Sequence, residues 1–268
     1  MNIFVNERNF TIKEGTTAFE VRDMVKKDAD IVVLNGFIIR EDMILKENDK
    51  LTLIKRGEIP DKNELEALLI ARHTPGVHEK VKKAYIGIAG LGGLGSNVAI
   101  SLARIGIGRL LLVDFDVVEP SNLNRQQYFI KHIGMLKTEA MKDIISQINP
   151  FVKVDIKNAY LDENNISDIF SKVDIIVEAF DNPHSKATLV NTVLNKMPGK
   201  IIVAASGMAG YFSNNTIVTR KIKNNFYLVG DGISEAKPGC GLMAPRVCIA
   251  ANHQANTVLR LIMGEKGV

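Results

Sequence analysis

Gly90-Leu91-Gly92-Gly93-Leu94-Gly95 stands between an apolar run, Tyr85–Ala89, and a stretch of helical periodicity, Leu94–Ile105. Strand, glycine turn and helix in that order form the context a phosphate-binding turn needs. Gly90, Gly92 and Gly95 occupy the three motif positions, and Gly93 departs from the minimal pattern without harming it. Glycine accepts backbone angles that other residues resist, and it lets the chain approach a phosphate. The free N–H groups at the helix start then meet the phosphate charge. A lone match of this kind is a weak signal. Here a second apolar run, Leu110–Asp114, follows and ends in an acid. A carboxylate there can bind both ribose hydroxyls. Asp116, two residues on, can do the same or help hold Mg²⁺.

Beyond the acids comes Ser121-Asn122-Leu123-Asn124-Arg125-Gln126, too polar for a strand. Arginine carries a rigid fork suited to phosphate oxygens, and asparagine and glutamine orient phosphate or carboxylate by hydrogen bonds. Lys137 begins the next helical stretch and can reach the β and γ phosphates as a mobile point charge. Asp181 follows the run Val173–Glu178, at the strand edge where ligands gather in a parallel sheet. A single carboxylate there suits Mg²⁺ beside nucleotide phosphates, and Glu178 is the weaker competitor for that role. Taken singly, each has a structural reading: a solvated strand end for Asp114, a polar loop for Asn122–Gln126, a solvated helix lysine for Lys137.

Apolar strands and helical patterns alternate from Ala84 onward. Strands are expected at Tyr85–Ala89, Leu110–Asp114, Val152–Ile156, Asp174–Glu178 and Ile201–Ala205, with helices at Leu94–Ile105, Met135–Ile148, Ile166–Phe170 and His184–Asn195. This rhythm predicts an α/β fold, a mostly parallel Rossmann-like sheet with helices on both faces. Thr216–Arg220 and Phe226–Val229 form an expected antiparallel pair, and a long apolar helix closes the chain near Pro245–Met263. Residues 1–57 read as a separate small β-grasp unit, with a hairpin around Asn6-Glu7-Arg8-Asn9, a helix from Phe19, and strands at Ile31–Leu34 and Leu51–Ile54. Residues 58–83 are the linker and first helices, interrupted at His73-Thr74-Pro75-Gly76, and residues 84–268 the main domain.

The chain has 268 residues, a net charge of +4 and two cysteines, Cys240 and Cys248. A mild, dispersed charge argues for neither a nucleic-acid nor a membrane partner. Two cysteines cannot build a disulfide framework or a four-cysteine zinc site. With no signal-peptide pattern, a reducing cytoplasm is the default compartment. Cys248 reads as a buried core thiol and His253 as a structural helix residue. His73 and His78 are too isolated for a metal, and Lys221, Lys223 and Lys237 are either a basic patch for an acidic carrier protein or a solvated face.

Gly90–Ser96, Asp114-Phe115-Asp116, Ser121–Gln126, Lys137 and Ala179-Phe180-Asp181-Asn182 together resemble the ThiF/MoeB family of adenylyltransferases, relatives of ubiquitin-activating enzymes, over about residues 64–268. The resemblance implies a homodimeric, ATP-binding Rossmann-like domain that uses Mg²⁺. Such an enzyme adenylates the C-terminal Gly-Gly carboxylate of a small β-grasp sulfur-carrier protein and releases pyrophosphate. Carried over, Asp114 holds the ribose, Asn122, Arg125, Gln126 and Lys137 hold the triphosphate, and Asp181 places Mg²⁺. The family also supplies an arginine ahead of the first strand, often across the dimer, and Arg72 is the nearest match. Zinc, held by Cys-x-x-Cys pairs in MoeB-like members, is not expected. Cys240, in Pro238-Gly239-Cys240-Gly241, lies near the place of a family cysteine that takes sulfur or links to the carrier. A separate sulfurtransferase is the implied partner for that later step.

Residues 1–57 are similar to ThiS, the sulfur carrier itself, through Met1–Asn6, Glu14–Thr17, Leu34–Gly36 and Lys46–Ile54. The departure is at the tail, Lys55-Arg56-Gly57-Glu58, where an internal peptide bond replaces the free Gly-Gly carboxylate. The fused unit is therefore expected to be a regulatory, docking or dimer-stabilising relic, and a thiamine-type carrier to be the substrate. Two rival readings stand beside this one. An NAD-dependent oxidoreductase explains Gly90–Gly95 and Asp114 but leaves Arg125, Lys137 and Asp181 without roles. A catalytically silent nucleotide- or carrier-binding scaffold is the other.

Overall fold

The computed structural model describes residues 1–73 and 76–268. The expected interruption at His73–Gly76 falls partly on Thr74 and Pro75, which lie outside the described residues. Two compact units are resolved, Met1–His78 and Glu79–Val268.

In the first unit, β1 (Asn2–Val5) and β2 (Arg8–Thr11) form a hairpin through Asn6 and Glu7. Both turn residues have positive φ, 47° and 62°. That pair of angles matches the strands' twist in a two-residue turn. Helix α1 (Ala18–Val25) opens on a capping box between Thr17 and Glu20. Strands β3 (Ile31–Leu34) and β4 (Phe37–Ile39) turn through Asn35-Gly36, and β5 (Lys50–Ile54) pairs with both β3 and β1. The sheet order is β2-β1-β5-β3-β4, with β1 and β5 parallel at its centre. Ile3, Val5, Val21, Leu34, Leu51 and Leu53 are buried in its core. Strand β4 escaped the sequence reading because its three residues, flanked by polar turns, carry too short an alternation to register. Helix α2 (Lys62–His73) follows, and α3 (Val77–Val81) leads into the second unit.

The second unit is built on β6 (Tyr85–Ala89), α4 (Gly93–Arg104), β7 (Arg109–Asp114), α5 (Lys137–Ile148), β8 (Lys153–Asn158), α6 (Ile166–Ile169), β9 (Ile175–Glu178), α7 (Pro183–Lys196) and β10 (Ile201–Ala205). An antiparallel pair, β11 (Val218–Lys223) and β12 (Phe226–Gly230), and the long α8 (Ala244–Met263) complete it. The sheet order is β11-β12-β10-β9-β6-β7-β8, parallel throughout except at the β11 edge. Helices α4, α5 and α8 pack together, while α6 and α7 pack on each other elsewhere. Gly87, Phe170 and Val173 show how tightly α6 is seated: a Cβ on Gly87 would lie 2.6 Å from the Phe170 ring. From β6 the chain first builds outward through β7 and β8, then returns to place β9 on the other side. The carboxyl ends of β6 and β9 therefore part at a topological switch point, where open α/β sheets bind ligands. Among the described residues no helix is long and apolar enough to cross a membrane.

Candidate nucleotide site

A cleft of about 660 Å³ opens at that switch point. Gly90, Gly92 and Gly93, Asp114 and Asp116, Arg125, Gln126, Lys137 and Asp181 all line it. The glycine turn is shaped by contact as well as by torsion. Gly90 has φ +88°, and a Cβ there would touch the Ala179 carbonyl at 3.0 Å. A Cβ on Gly95 would sit 1.9 Å from the Gly90 carbonyl oxygen, so the helix can approach the strand only without a side chain. Gly95 therefore acts through packing and lies behind the cleft wall.

Asp114 is buried at the end of β7, and its carboxylate accepts N–H bonds from Leu91 at 2.6 Å and Asp116 at 2.8 Å. Burial pushes its carboxyl above the usual range, and those two backbone donors pull it partly back. Asp114 thus ties the glycine turn to the next strand while each oxygen keeps a lone pair for a ligand. Tyr128 secures the same turn from the other side, its hydroxyl donating to the Leu91 carbonyl at 2.8 Å. Asp116 is exposed and accepts a 2.8 Å ion-pair bond from Lys137, whose side chain is otherwise buried at the start of α5.

The polar segment after Asp116 forms a short 3₁₀ helix, Pro120–Asn124, whose end delivers Arg125 and Gln126 to the cleft. Asn122 organises that helix: its amide oxygen accepts from the Glu119 N–H at 3.1 Å, and the residue is buried outside the cleft lining. Arg125 commits Nη1 to Asn124 at 2.8 Å and, more loosely, to Ser121. Gln126 is buried, and its Oε1 finds no hydrogen-bond partner among the described residues.

Asp181 is exposed in the loop after β9, and Asn182 caps α7 by accepting from His184 and Ser185. Glu178, the other acid considered for Mg²⁺, is not available for it. Its carboxylate is wholly buried and bonded to Lys186 through both oxygens, at 2.7 and 2.6 Å. Cys240 is half-buried at the end of a Lys237–Cys240 turn, next to Gly210, and is not among the lining residues. Arg72 is exposed on the last turn of α2 in the first unit. Cys248 is half-buried rather than a full core residue, because its thiol faces Asn97 Oδ1 at 3.3 Å. His253 bonds Thr219 within the fold.

Sequence reading missed the support behind the cleft. Arg246, near the start of the long apolar C-terminal helix, carried no reading of its own. In the fold it is buried, donating to the Phe212 and Ser213 carbonyls, to Thr216 and to Asp231 at 2.8 Å. Asp231 also accepts from the N–H groups of Ile233 and Ser234 and from the Ser234 hydroxyl. Burial works against its ionisation, but together these donors hold its carboxyl at about 2. Loops 206–213 and 230–236 are locked together through this pair. A run that is broken by one charge gives no hint of a partner fifteen residues upstream.

The model of the ThiF family matches residues 66–268. The chain belongs to the ThiF family. A ThiS-like ubiquitin model matches residues 1–57, so a ThiS-like unit is fused ahead of this ThiF-family domain. Among curated relatives, a molybdopterin-synthase adenylyltransferase of Haemophilus influenzae is 36% identical over 195 residues, covering 68% of this chain and 76% of the relative. An adenylyltransferase and sulfurtransferase UBA4 of Candida glabrata is 29% identical over 88% of this chain, which spans 56% of that relative's length. Among solved structures, an E. coli tRNA N6-threonylcarbamoyladenosine dehydratase in complex with ATP shares the fold, with a TM-score of 0.68 at 23% identity over 78% of this chain and 98% of that one. This ThiF-family chain is thus similar to proteins named adenylyltransferases, and it spans little more than half the length of the UBA4 relative.

Proposed function

We propose that this ThiF-family protein adenylates the C-terminal carboxylate of a separate small β-grasp carrier ending in Gly-Gly, with ATP as the donor, and that the carrier is a thiamine-type sulfur carrier. The observation that carries this reading is the convergence of Arg125, Gln126, Lys137 and Asp181 on one cleft beside a glycine turn. The UBA4 and molybdopterin-synthase relatives are named adenylyltransferases, and the fused ThiS-like unit favours the sulfur-carrier pathway.

In the proposed reaction a carboxylate oxygen of the carrier attacks the α-phosphorus of ATP. The bond from that phosphorus to the bridging oxygen of the β-phosphate breaks, and pyrophosphate leaves with the electron pair. Both reactants arrive ready-made, so catalysis is alignment and charge stabilisation. Asp114 and Asp116 hold the ribose side. Arg125 and Lys137 meet the phosphates, and Asp116 keeps the Lys137 ammonium pointed into the cleft until the nucleotide arrives.

Among the described residues no three His, Cys, Asp or Glu side chains gather into a metal cage. A lone exposed Asp181 in the cleft fits Mg²⁺ nonetheless, because Mg²⁺ is commonly held by one or two carboxylates together with substrate phosphates and water. Bound there, Mg²⁺ would offset phosphate charge.

The first test is ATP–pyrophosphate exchange with purified protein and Mg²⁺, with and without a carrier ending in Gly-Gly. Carrier-dependent exchange is the expected result. ATP binding without exchange across thiamine-type and molybdopterin-type carriers would turn the assignment toward a silent scaffold.

A further inference from the structure

Lys186 lines the nucleotide cleft, and a lysine beside phosphates invites assignment as a phosphate ligand. Its hydrogen bonds say otherwise. The ammonium donates to Glu178 Oε1 and Oε2 at 2.7 and 2.6 Å, to the Ala205 carbonyl at 2.8 Å and to the Phe180 carbonyl at 3.2 Å. An ammonium has three N–H donors, and four acceptors already surround this one. Glu178 completes the arrangement from the other side, accepting from the Phe180 N–H at 2.8 Å and the Ala205 N–H at 3.3 Å.

The pair therefore holds both backbone groups of Phe180 and both backbone groups of Ala205. Phe180 is the residue before Asp181, and Ala205 ends β10 just before the Ser206-Gly207 floor of the cleft. On its far side Asp181 is followed by Asn182, fixed as the cap of α7. The Glu178 carbonyl is itself anchored by Gln254 from α8 at 2.9 Å. Asp181 is thus an exposed carboxylate strung between two immobile neighbours.

We propose that Glu178 and Lys186 form a positioning clamp that sets Asp181 against the nucleotide, so that their effect on ATP binding runs through Asp181 and Mg²⁺. This rests on the nucleotide and Mg²⁺ assignments above. It adds that Lys186 is a positioning residue and contacts no phosphate. Groups that orient a metal-holding carboxylate characteristically change metal-dependent affinity by about 10–100-fold when lost. Removing one member of a buried pair strands the other charge, so the informative variant changes both. In Glu178→Gln/Lys186→Met no charge is stranded, while the Phe180 and Ala205 carbonyls lose the ammonium that holds them.

The experiment is calorimetric titration of ATP into the full chain, in Mg²⁺ and in EDTA. The proteins are the unmodified chain, Asp181→Asn, the double variant, and the triple variant combining them. Asp181→Asn and the double variant are each expected to weaken binding in Mg²⁺ by about tenfold or more and to leave binding in EDTA within about twofold. The triple variant should be no weaker than Asp181→Asn alone, since a residue acting through Asp181 has nothing left to act on. Multiplying losses in the triple variant would overturn the proposal, as would an equal loss in EDTA, which marks a direct phosphate contact. If circular dichroism shows the double variant unfolded, Glu178→Asp takes its place with the same expected pattern, because it keeps the charge and withdraws the carboxylate by one methylene. No carrier or turnover is involved. ATP binding without carrier-dependent exchange would sink the adenylation reading and leave the clamp standing, whereas absence of ATP binding by the unmodified chain would sink both.

Discussion

The two sheets of this protein carry their chemistry in opposite ways. The seven-stranded sheet gathers charged and amide side chains at one edge, and several are braced by neighbours: Asp114 by two backbone N–H groups, Lys137 by Asp116, the Asp181 loop by Glu178 and Lys186. The five-stranded sheet has an equally regular core but no such edge. Its last strand runs on through Gly57-Glu58 into the next helix. A function spread over a cleft is welded to the packing beneath it.

The sharpest way to break this comparison is Gly95→Ala. The added methyl meets the Gly90 carbonyl at 1.9 Å, and neither backbone segment can yield without opening the turn. Loss of ATP binding by calorimetry is the expected outcome, together with a lower melting temperature. Unchanged binding would mean that the turn does not shape the site.

Next in size are Arg125→Ala and Asp181→Ala, each expected to cut carrier-dependent exchange by about a hundredfold or more on the scale of lost electrostatic stabilisation. Because Arg125 and Asp181 are surface-accessible at the cleft and not core residues, melting should move little. Normal exchange by both variants would remove them from the mechanism.

Asp231→Asn tests the bracing alone. Its carboxyl is held at about 2 in the fold, below its unfolded value, so its stabilisation is full above the unfolded pKa and is lost as pH falls through about 2. Replacing it should cost about 2 kcal/mol at neutral pH. The difference between variant and unmodified chain should shrink as pH drops from about 4 towards 2. A penalty independent of pH across that window would assign the effect to packing.

The smallest effect belongs to Gly57→Ala. Gly57 has φ +74° and nothing within 4 Å of a would-be Cβ, so only local backbone strain is at stake, about 1–2 kcal/mol. Exchange with a separate carrier should be unaltered. Intact-mass analysis of the unmodified chain after incubation with ATP should find no adenylated fragment ending at Gly57. Such a fragment would show that the fused unit is still a substrate.

Much of this was legible in the chain. The β6 and β10 limits, the glycine turn, the acid ending β7, the helix beginning at Lys137 and the antiparallel β11–β12 pair all carry local signatures, because periodicity and turn chemistry are properties of neighbours in sequence. So does the ThiS-like tail that ends without a free carboxylate. Asn122 illustrates the limit: a polar residue in a polar run reads as a ligand, and only the fold shows its amide oxygen engaged with the Glu119 N–H. Glu178 was legible as an acid near Asp181 and not as half of a clamp. The three partners of its carboxylate, Phe180, Lys186 and Ala205, stand up to twenty-seven positions away and are brought together by the packing of β9, β10 and α7. Composition and spacing determine which residue types stand at the sheet's ligand-binding edge. Which of those side chains stay free for a ligand is decided only when tertiary packing assigns the others their partners, since a buried polar group must be satisfied before it can serve anything else.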